Sequence, residues 1–298
     1  MRIFALSDIH IDYQENLRWV EAISDTDYVR DVLILAGDVS HDRDLCAQAL
    51  ECVRRKFARV FFVPGNHDLW LRSDESGDSL QKCTELLDRC RQLDVHTQPR
   101  CLTDTSTRIW IVPLFAWYVR PEEDPHESLF VPKQGEDPHL GMWVDNRAIR
   151  WPSFDGFKTA AAYFLAQNQD LPQTDDTAVV ISFSHFVPRP ELIFPTFAEL
   201  ESLGIVPVDP QPRFNFSRVA GCHSLECLIR QLRSQVHIYG HQHRNRQRHI
   251  DGITYLSHCL GYPRERAHGK IPKNLQQPLL VWDTDAGGRV LSCSGGER

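Results

Sequence analysis

The chain has 298 residues, of which 42% are hydrophobic and 24% are charged, as in an ordinary globular protein. Its net charge of -7 disfavours a general nucleic-acid binder, because such proteins need a basic surface to neutralise phosphates. No stretch approaches the roughly 18 uninterrupted apolar residues of a membrane-spanning helix. Nine cysteines without a C-x-x-C pair are expected to be reduced thiols.

Short apolar segments alternate with helical patterns along the chain. The segments are rich in β-branched and aromatic residues, which predicts buried strands, and apolar residues at three- and four-residue spacing predict the helices. The predicted strands are 2–7, 32–36, 59–63, 108–114, 179–184, 236–239, 252–256, 278–283 and 289–293. The predicted helices are 15–23, 43–56, 79–94, 156–169 and 224–233.

Polar residues follow the ends of five predicted strands. They are Asp8 and His10, then Asp38, then Asn66 and His67, then His185, and finally His241 and His243. Any one of them alone would be an ordinary turn former, helix cap or hydrogen-bonded histidine. Five strand ends that carry only carboxylate, amide and imidazole groups instead predict a metal site where βα folds place their chemistry.

Five short blocks of sequence carry these residues: DIH (8–10), GDVSHD (37–42), GNHD (65–68), SH (184–185) and GHQH (240–243). They resemble, in order, the signature blocks of the calcineurin-like metallophosphoesterases, and the resemblance extends from residue 3 to about residue 260. It implies an α/β fold, a four-layer α/β/β/α sandwich of two facing mixed sheets flanked by helices. We expect one such domain over residues 1–298.

The resemblance also implies two divalent cations, which need one shared carboxylate. Asp38 would bridge them; Asp8, His10 and His243 would complete the first site, and Asn66, His185 and His241 the second. His241 and His243 would point the same way if their segment is extended. Mixed ligation without thiolate suits Mn²⁺, our expected metal, or Fe or Zn²⁺.

His67, by the same resemblance, binds no metal and would protonate the departing oxygen, a role suited to an imidazole that titrates near neutral pH. The expected activity is hydrolysis of a phosphodiester or small organic phosphate by direct attack of a metal-bound hydroxide. GDVSHD and GNHD differ from the GDxVDRG and GNHE of the protein-phosphatase branch, which disfavours a phosphoprotein substrate.

Two alternatives share this fold. A DNA or RNA nuclease would use the same ligands but should show a basic groove, and the arginines after GHQH (Arg244, Arg246 and Arg248) suit phosphate oxygens or a solvated surface. A non-catalytic interaction scaffold would be expected to lose ligands, and the sequence retains them all.

Two long stretches, 115–155 and 186–216, fit poorly into regular structure. Loops of this length are usually functional or disordered, and their many aromatic residues argue against disorder. We expect them to be insertions that cover the metal site and set substrate choice, the alternative being packing on the outer face of a sheet. Asp8, His10 and Asp12 interrupt the first apolar segment, which disfavours a secretory signal and favours a cytoplasmic location.

Overall fold

The computed structural model describes residues 1–104, 107–174, 177–196, 211–271 and 277–287. The strands are β1 (Arg2–Leu6), β2 (Val32–Ala36), β3 (Arg59–Val63), β4 (Val95–His96), β5 (Arg100–Asp104), β6 (Thr107–Pro113), β7 (Val179–Phe183), β8 (Val236–Ile238), β9 (Arg246–Ile250), β10 (Ile253–Ser257) and β11 (Leu279–Asp283). The helices are α1 (Gln14–Glu21), α2 (Arg43–Lys56), α3 (Ser79–Gln92), α4 (Asp145–Ala148), α5 (Ala160–Ala166), α6 (His223–Gln231) and α7 (Pro263–Ala267).

Two mixed sheets form the centre of the fold. The first has the strand order β11-β1-β2-β3-β4, and the second β5-β6-β7-β8-β10-β9. Strands β1, β2, β3 and β4 run parallel, as do β6, β7, β8 and β10, while β11, β5 and β9 pair antiparallel at the edges. The carboxyl ends of the parallel strands in each sheet therefore lie along one edge.

Three layers of apolar side chains separate the elements. One layer contains residues of both sheets, such as Ile34, Phe61 and Ile181, so the two sheets pack face to face. A second layer joins the first sheet to α1, α2 and α3, and a third joins the second sheet to α5, α6 and the segments around them. The expected four-layer sandwich of two mixed sheets is confirmed.

The central strands match the prediction because their residues are buried on both faces, as in the fully buried β2. The prediction missed the two-residue β4 and the edge strands β5 and β9, whose polar sequences (RCLTD and RQRHI) carry no apolar pattern. The predicted helix 156–169 is shorter, since Thr159 caps its start by accepting a hydrogen bond from the Ala162 N–H. The predicted strand 289–293 lies outside the described residues.

Asp42 lies immediately before α2. Asp42, inside the GDVSHD block, caps α2 by accepting hydrogen bonds from the N–H groups of Asp44 and Leu45. In the part of the chain that the structure describes, no helix is long and apolar enough to cross a bilayer.

Candidate metal centre

All the predicted site residues lie just beyond the carboxyl ends of five parallel strands. Asp8 and His10 follow β1, Asp38 follows β2, and Asn66 and His67 follow β3, all in the first sheet; His185 follows β7, and His241 and His243 follow β8, in the second. Because the two sheets face one another, these strand ends meet, and the side chains of residues separated by up to 233 positions come into contact. Asp8, His10, Asp38, Asn66, His185, His241 and His243 are all buried.

The side chains form two groups that share one carboxylate. Potential ligand atoms of Asp8, His10, Asp38 and His243 lie within 4.8 Å of one another, as do those of Asp38, His185 and His241. Asn66 belongs with the second group, since its Oδ1 is 3.2 Å from His185 Nε2. The arrangement places Asp38 between the two groups, where a bridging ligand would have to be.

Within each group, two imidazole nitrogens face one another. His10 Nε2 lies 2.9 Å from His243 Nε2, and His185 Nε2 lies 3.1 Å from His241 Nδ1. In three of these rings the other nitrogen has a hydrogen-bond partner. His185 Nδ1 lies 2.9 Å from Ala36 O, and His241 Nε2 lies 2.8 Å from Val219 O. His243 Nδ1 lies 2.6 Å from Glu265 Oε2. A neutral ring that donates from one nitrogen presents a lone pair at the other.

The donor set therefore fits cations. In the second group, His185 Nε2 and His241 Nδ1 present opposed lone pairs when each ring donates from its other nitrogen, and these lone pairs and the buried carboxylates repel one another unless positive charge lies between them. Histidine metal ligands typically donate their second nitrogen to a carbonyl or carboxylate, as these three do. Oxygen and imidazole donors without thiolate suit a borderline or hard divalent ion.

The pKa values of the metal-free protein show the same shortage of positive charge. Burial, followed by the charges of Asp8 and Asp68, raises the pKa of Asp38 well above its ordinary value. Burial and then the charge of His243 lower the pKa of His10 to about 3. Burial also opposes the charged form of His243, but Asp8 and Glu265 outweigh it and raise its pKa to about 9. A proton on His243 thus partly compensates the first group when no cation is bound.

The backbone at the ligand positions is strained. Five of them have a positive φ, between 40° and 71°, which residues other than glycine seldom adopt. They are Asp8, His10, Asp38, His241 and His243. Such strain is typical of functional sites, where the surrounding structure fixes it. The segment of His241 and His243 is consequently not extended, so the side-chain alternation of an extended segment does not apply to it. His241 lies in the second group and His243 in the first.

Asp68 holds two of the ligand loops in place. Its carboxylate accepts hydrogen bonds from the N–H groups of Gly65 and Asp38 at 2.8 Å, and from those of Val39 and Ser40 at 2.8 and 3.1 Å. Burial raises the pKa of Asp68 to about 6 although these four donors favour the charged form. Asp68 thus fixes the loop after β2 relative to the loop after β3.

His67 lies beside the shared carboxylate. Its Nε2 is 3.8 Å from Asp38 Oδ2 and 3.2 Å from the hydroxyl of Tyr262, and its ring rests on Trp70 with 3.4 Å between ring centroids. Burial, and then the charges of His10 and His243, lower the pKa of His67 well below its ordinary value. Our expectation of a ring that titrates near neutral pH is therefore not met in the metal-free protein, where His67 is neutral.

Aromatic rings from both predicted insertions surround His241. Trp143 stands edge-on to its ring at 5.8 Å between centroids, Phe186 lies at 4.7 Å and Phe216 at 5.2 Å. Trp143 and Phe216 are half-buried, so each residue keeps some exposure to solvent. All three rings belong to the described parts of 115–155 and 186–216.

Sequence reasoning missed several residues of this centre. Glu265, which bonds His243, also accepts a hydrogen bond from the Tyr262 N–H at the start of α7, but Tyr262 is not the serine or threonine by which a capping box is recognised in a sequence. Asp145, which bonds Asn66, lies in an irregular stretch and has no local signal. Of the arginines after GHQH, Arg246 and Arg248 donate to the carbonyls of Leu192 and Phe194.

Comparison with known proteins identifies the family. The sequence model described as calcineurin-like phosphoesterase matches residues 1–245. The chain belongs to the calcineurin-like phosphoesterase family. Family membership, together with the buried groups able to hold metal ions, confirms the prediction of a metal-dependent phosphoesterase.

PptH of Mycobacterium tuberculosis resembles the chain over most of its length, both in sequence and in structure. The acyl-carrier-protein phosphodiesterase PptH of Mycobacterium tuberculosis is 26% identical, and the match covers 93% of this chain and 83% of that protein. The crystal structure of phosphopantetheinyl hydrolase (PptH) from the same organism superposes with a TM-score of 0.72 at 23% identity, covering 94% and 95% of the two chains. At that identity the superposition supports the fold.

The close packing of glycine against the ligands gives a first prediction. A Cβ built on Gly65 would lie 2.2 Å from Asp38 Oδ1 and 2.7 Å from His185 Cε1. Gly65→Ala should therefore displace the shared carboxylate and weaken Mn²⁺ binding by about 10-fold or more, as measured by calorimetric titration of the metal-free protein. Gly141→Ala is the control, because its nearest contact is 3.5 Å away; equal Mn²⁺ affinity in the two variants would contradict the prediction.

Proposed function

We propose that the chain is a phosphodiesterase with two divalent cations, and that the ester joining phosphopantetheine to an acyl carrier protein is its first candidate substrate. The pairs of facing imidazole nitrogens on either side of Asp38 carry the first part of this proposal. Similarity to PptH supports the second part. The expected small phosphorylated substrate is thereby extended to a phosphate ester on a carrier protein.

The first cation would be held by Asp8, His10, Asp38 and His243, and the second by Asp38, Asn66, His185 and His241. Bound cations supply positive charge for the phosphoryl oxygens and lower the pKa of the attacking water. Mn²⁺ remains our preferred metal, and a cytoplasmic location remains a prediction. The described parts of 115–155 and 186–216 are proposed to act as insertions that shape the substrate site within one domain.

His67 is proposed to supply the proton to the departing oxygen. Its ring is fixed between Trp70 and the Tyr262 hydroxyl, so its Nε2 faces the space beside Asp38. A phosphate anion bound there would favour the protonated ring, because a nearby opposite charge stabilises the charged form of histidine. The pKa of His67 would thus rise when substrate binds.

A nuclease or a non-catalytic scaffold is less well supported. The described arginines Arg246 and Arg248 are engaged with backbone carbonyls, and Arg266 is buried with its guanidinium on the carbonyls of Leu260 and Gly261. All seven proposed ligands are present and brought together, which a scaffold would not require.

A substrate panel tests the proposal directly. Metal-free protein would be loaded with Mn²⁺ and assayed on holo-acyl carrier protein, a cyclic nucleotide, a bis(nitrophenyl) ester and alkyl monoesters. We expect release of phosphopantetheine, and we expect Asp38→Ala to lose bound metal and turnover together, since two cations repel without a shared anion. Hydrolysis of monoesters alone, or an Asp38→Ala protein with two bound metals and normal turnover, would refute the proposal.

The role of His67 can be separated from metal binding. His67→Asn should keep both metals yet slow alkyl phosphodiesters by about 10²–10⁴-fold, while slowing nitrophenyl esters far less because their leaving group needs no proton. Metal content and the two rates would be measured on the same preparation. Equal slowing of both ester types would point to substrate positioning in place of proton donation.

The aromatic rings predict a difference between two tryptophans. Trp143 contacts His241, whereas Trp151 packs on Trp117 and Phe164 at 4.9 and 5.7 Å. Trp143→Ala should change the relative rates across the diester panel several-fold with metal content unchanged, and Trp151→Ala should lower the thermal midpoint without changing those ratios. Identical ratios for wild type and Trp143→Ala would favour a purely packing role for Trp143.

A further inference from the structure

Asp145 is a buried carboxylate behind the second ligand group. It begins α4, within the stretch 115–155, and is only 3% exposed. Its Oδ1 accepts hydrogen bonds from Asn66 Nδ2 at 2.9 Å and from Trp70 Nε1 at 2.6 Å, and its Oδ2 accepts one from the Tyr118 hydroxyl at 3.0 Å. Three donors, two from the segment after β3 and one from the segment after β6, thus converge on one side chain.

The contact with Asn66 decides which end of that amide faces the metal centre. An asparagine amide donates from its nitrogen and accepts at its oxygen, and only the oxygen can ligate a cation. With Nδ2 donated to Asp145, Oδ1 is turned toward His185 Nε2, 3.2 Å away. The reversed amide would place two oxygens together behind Asn66, which is unfavourable, and would present N–H groups to the cation.

The same oxygen also fixes the ring beneath His67. Trp70 donates its indole N–H to Asp145 Oδ1, and its ring lies against His67 with 3.4 Å between centroids. A buried indole N–H needs such an acceptor. One carboxylate oxygen therefore holds both a proposed ligand and the support of the proposed proton donor.

We infer that Asp145 is a positioning residue: its Oδ1 turns the Asn66 oxygen toward the metal pair and holds Trp70 in place under His67. The inference rests on the proposed ligation by Asn66. Asp145 lies outside all five sequence blocks. From the sequence, its stretch, 115–155, is expected to cover the metal site and set substrate choice, with no part in orienting a ligand.

Two substitutions separate the acceptor from the charge. Asp145→Ala removes the acceptor and should weaken Mn²⁺ binding to one of the two sites by about 10- to 100-fold. Asp145→Asn keeps an oxygen toward Asn66 and Trp70 and turns its nitrogen to the Tyr118 hydroxyl, which can accept; its Mn²⁺ affinity should stay within a few-fold of wild type. Both affinities would be measured by titrating metal-free protein, with diester hydrolysis followed in parallel.

Asp137→Ala is the matched control for loss of stability. Asp137 lies in the same stretch, and its carboxylate accepts hydrogen bonds from the N–H groups of His139 and Gly141 at 3.0 Å each, away from the centre. This variant should lower the thermal midpoint of the metal-free protein without changing Mn²⁺ affinity. If Asp145→Ala does not fold, Asp145→Leu, which fills more of the space, replaces it with the same expectation.

The outcomes are distinguishable. Wild-type affinity in Asp145→Ala, or equal losses in Asp145→Ala and Asp145→Asn, would overturn the positioning role while leaving the proposed phosphodiesterase intact. Equal losses in Asp145→Ala and Asp137→Ala would also overturn it, since destabilisation alone would then explain the result. A wild-type protein with no Mn²⁺ affinity would refute the proposed metal ligation and this inference with it. A crystal structure of metal-free Asp145→Ala should show the Asn66 amide turned from its present orientation.

Discussion

The facing edges of the two sheets depend on compensation of the negative charge buried at Asp8 and Asp38. Asp8 and Asp38 are both buried, and a carboxylate oxygen of one lies within 4.8 Å of a carboxylate oxygen of the other. Two pairs of imidazole rings face one another at about hydrogen-bond distance. Such an arrangement is unfavourable in a dry interior without cations. Without cations, protons compensate only part of it, as the raised pKa values of Asp38 and His243 show.

The surrounding chain holds these groups together against their repulsion. Asp68 ties the loop after β2 to the loop after β3 through four backbone N–H groups. Gly37 and Gly65 in these two loops, and Gly240 in the loop after β8, approach neighbouring atoms more closely than any side chain would permit. The left-handed backbone at five ligand positions is sustained by this packing. Rigidity at the strand ends is thus supplied by many contacts that individually resemble ordinary turns.

Sequence reasoning located the central strands. The candidate ligands follow strands such as VLILA and RVFFV, whose burial on both faces gives a continuous apolar run, so a candidate site could be proposed at the strand ends. It failed where a role depends on tertiary contact. Asp145 becomes part of the centre only because an irregular stretch carries it behind Asn66, 79 residues away along the chain. The edge strand β9, with its sequence RQRHI, pairs through its backbone and carries no apolar signal.

The two ligand groups differ in what surrounds them. The first group takes its members from the DIH, GDVSHD and GHQH blocks and is supported by Glu265 and Tyr262 of the closing segment. The second group is contacted by the long stretches: Asp145 bonds Asn66, and Trp143, Phe186 and Phe216 enclose His241. The stretch 115–155 would thus contain both a residue that affects substrate choice, Trp143, and one that orients a proposed ligand of the second cation, Asp145. The first group, built from the blocks themselves, would be largely insulated from changes in that stretch.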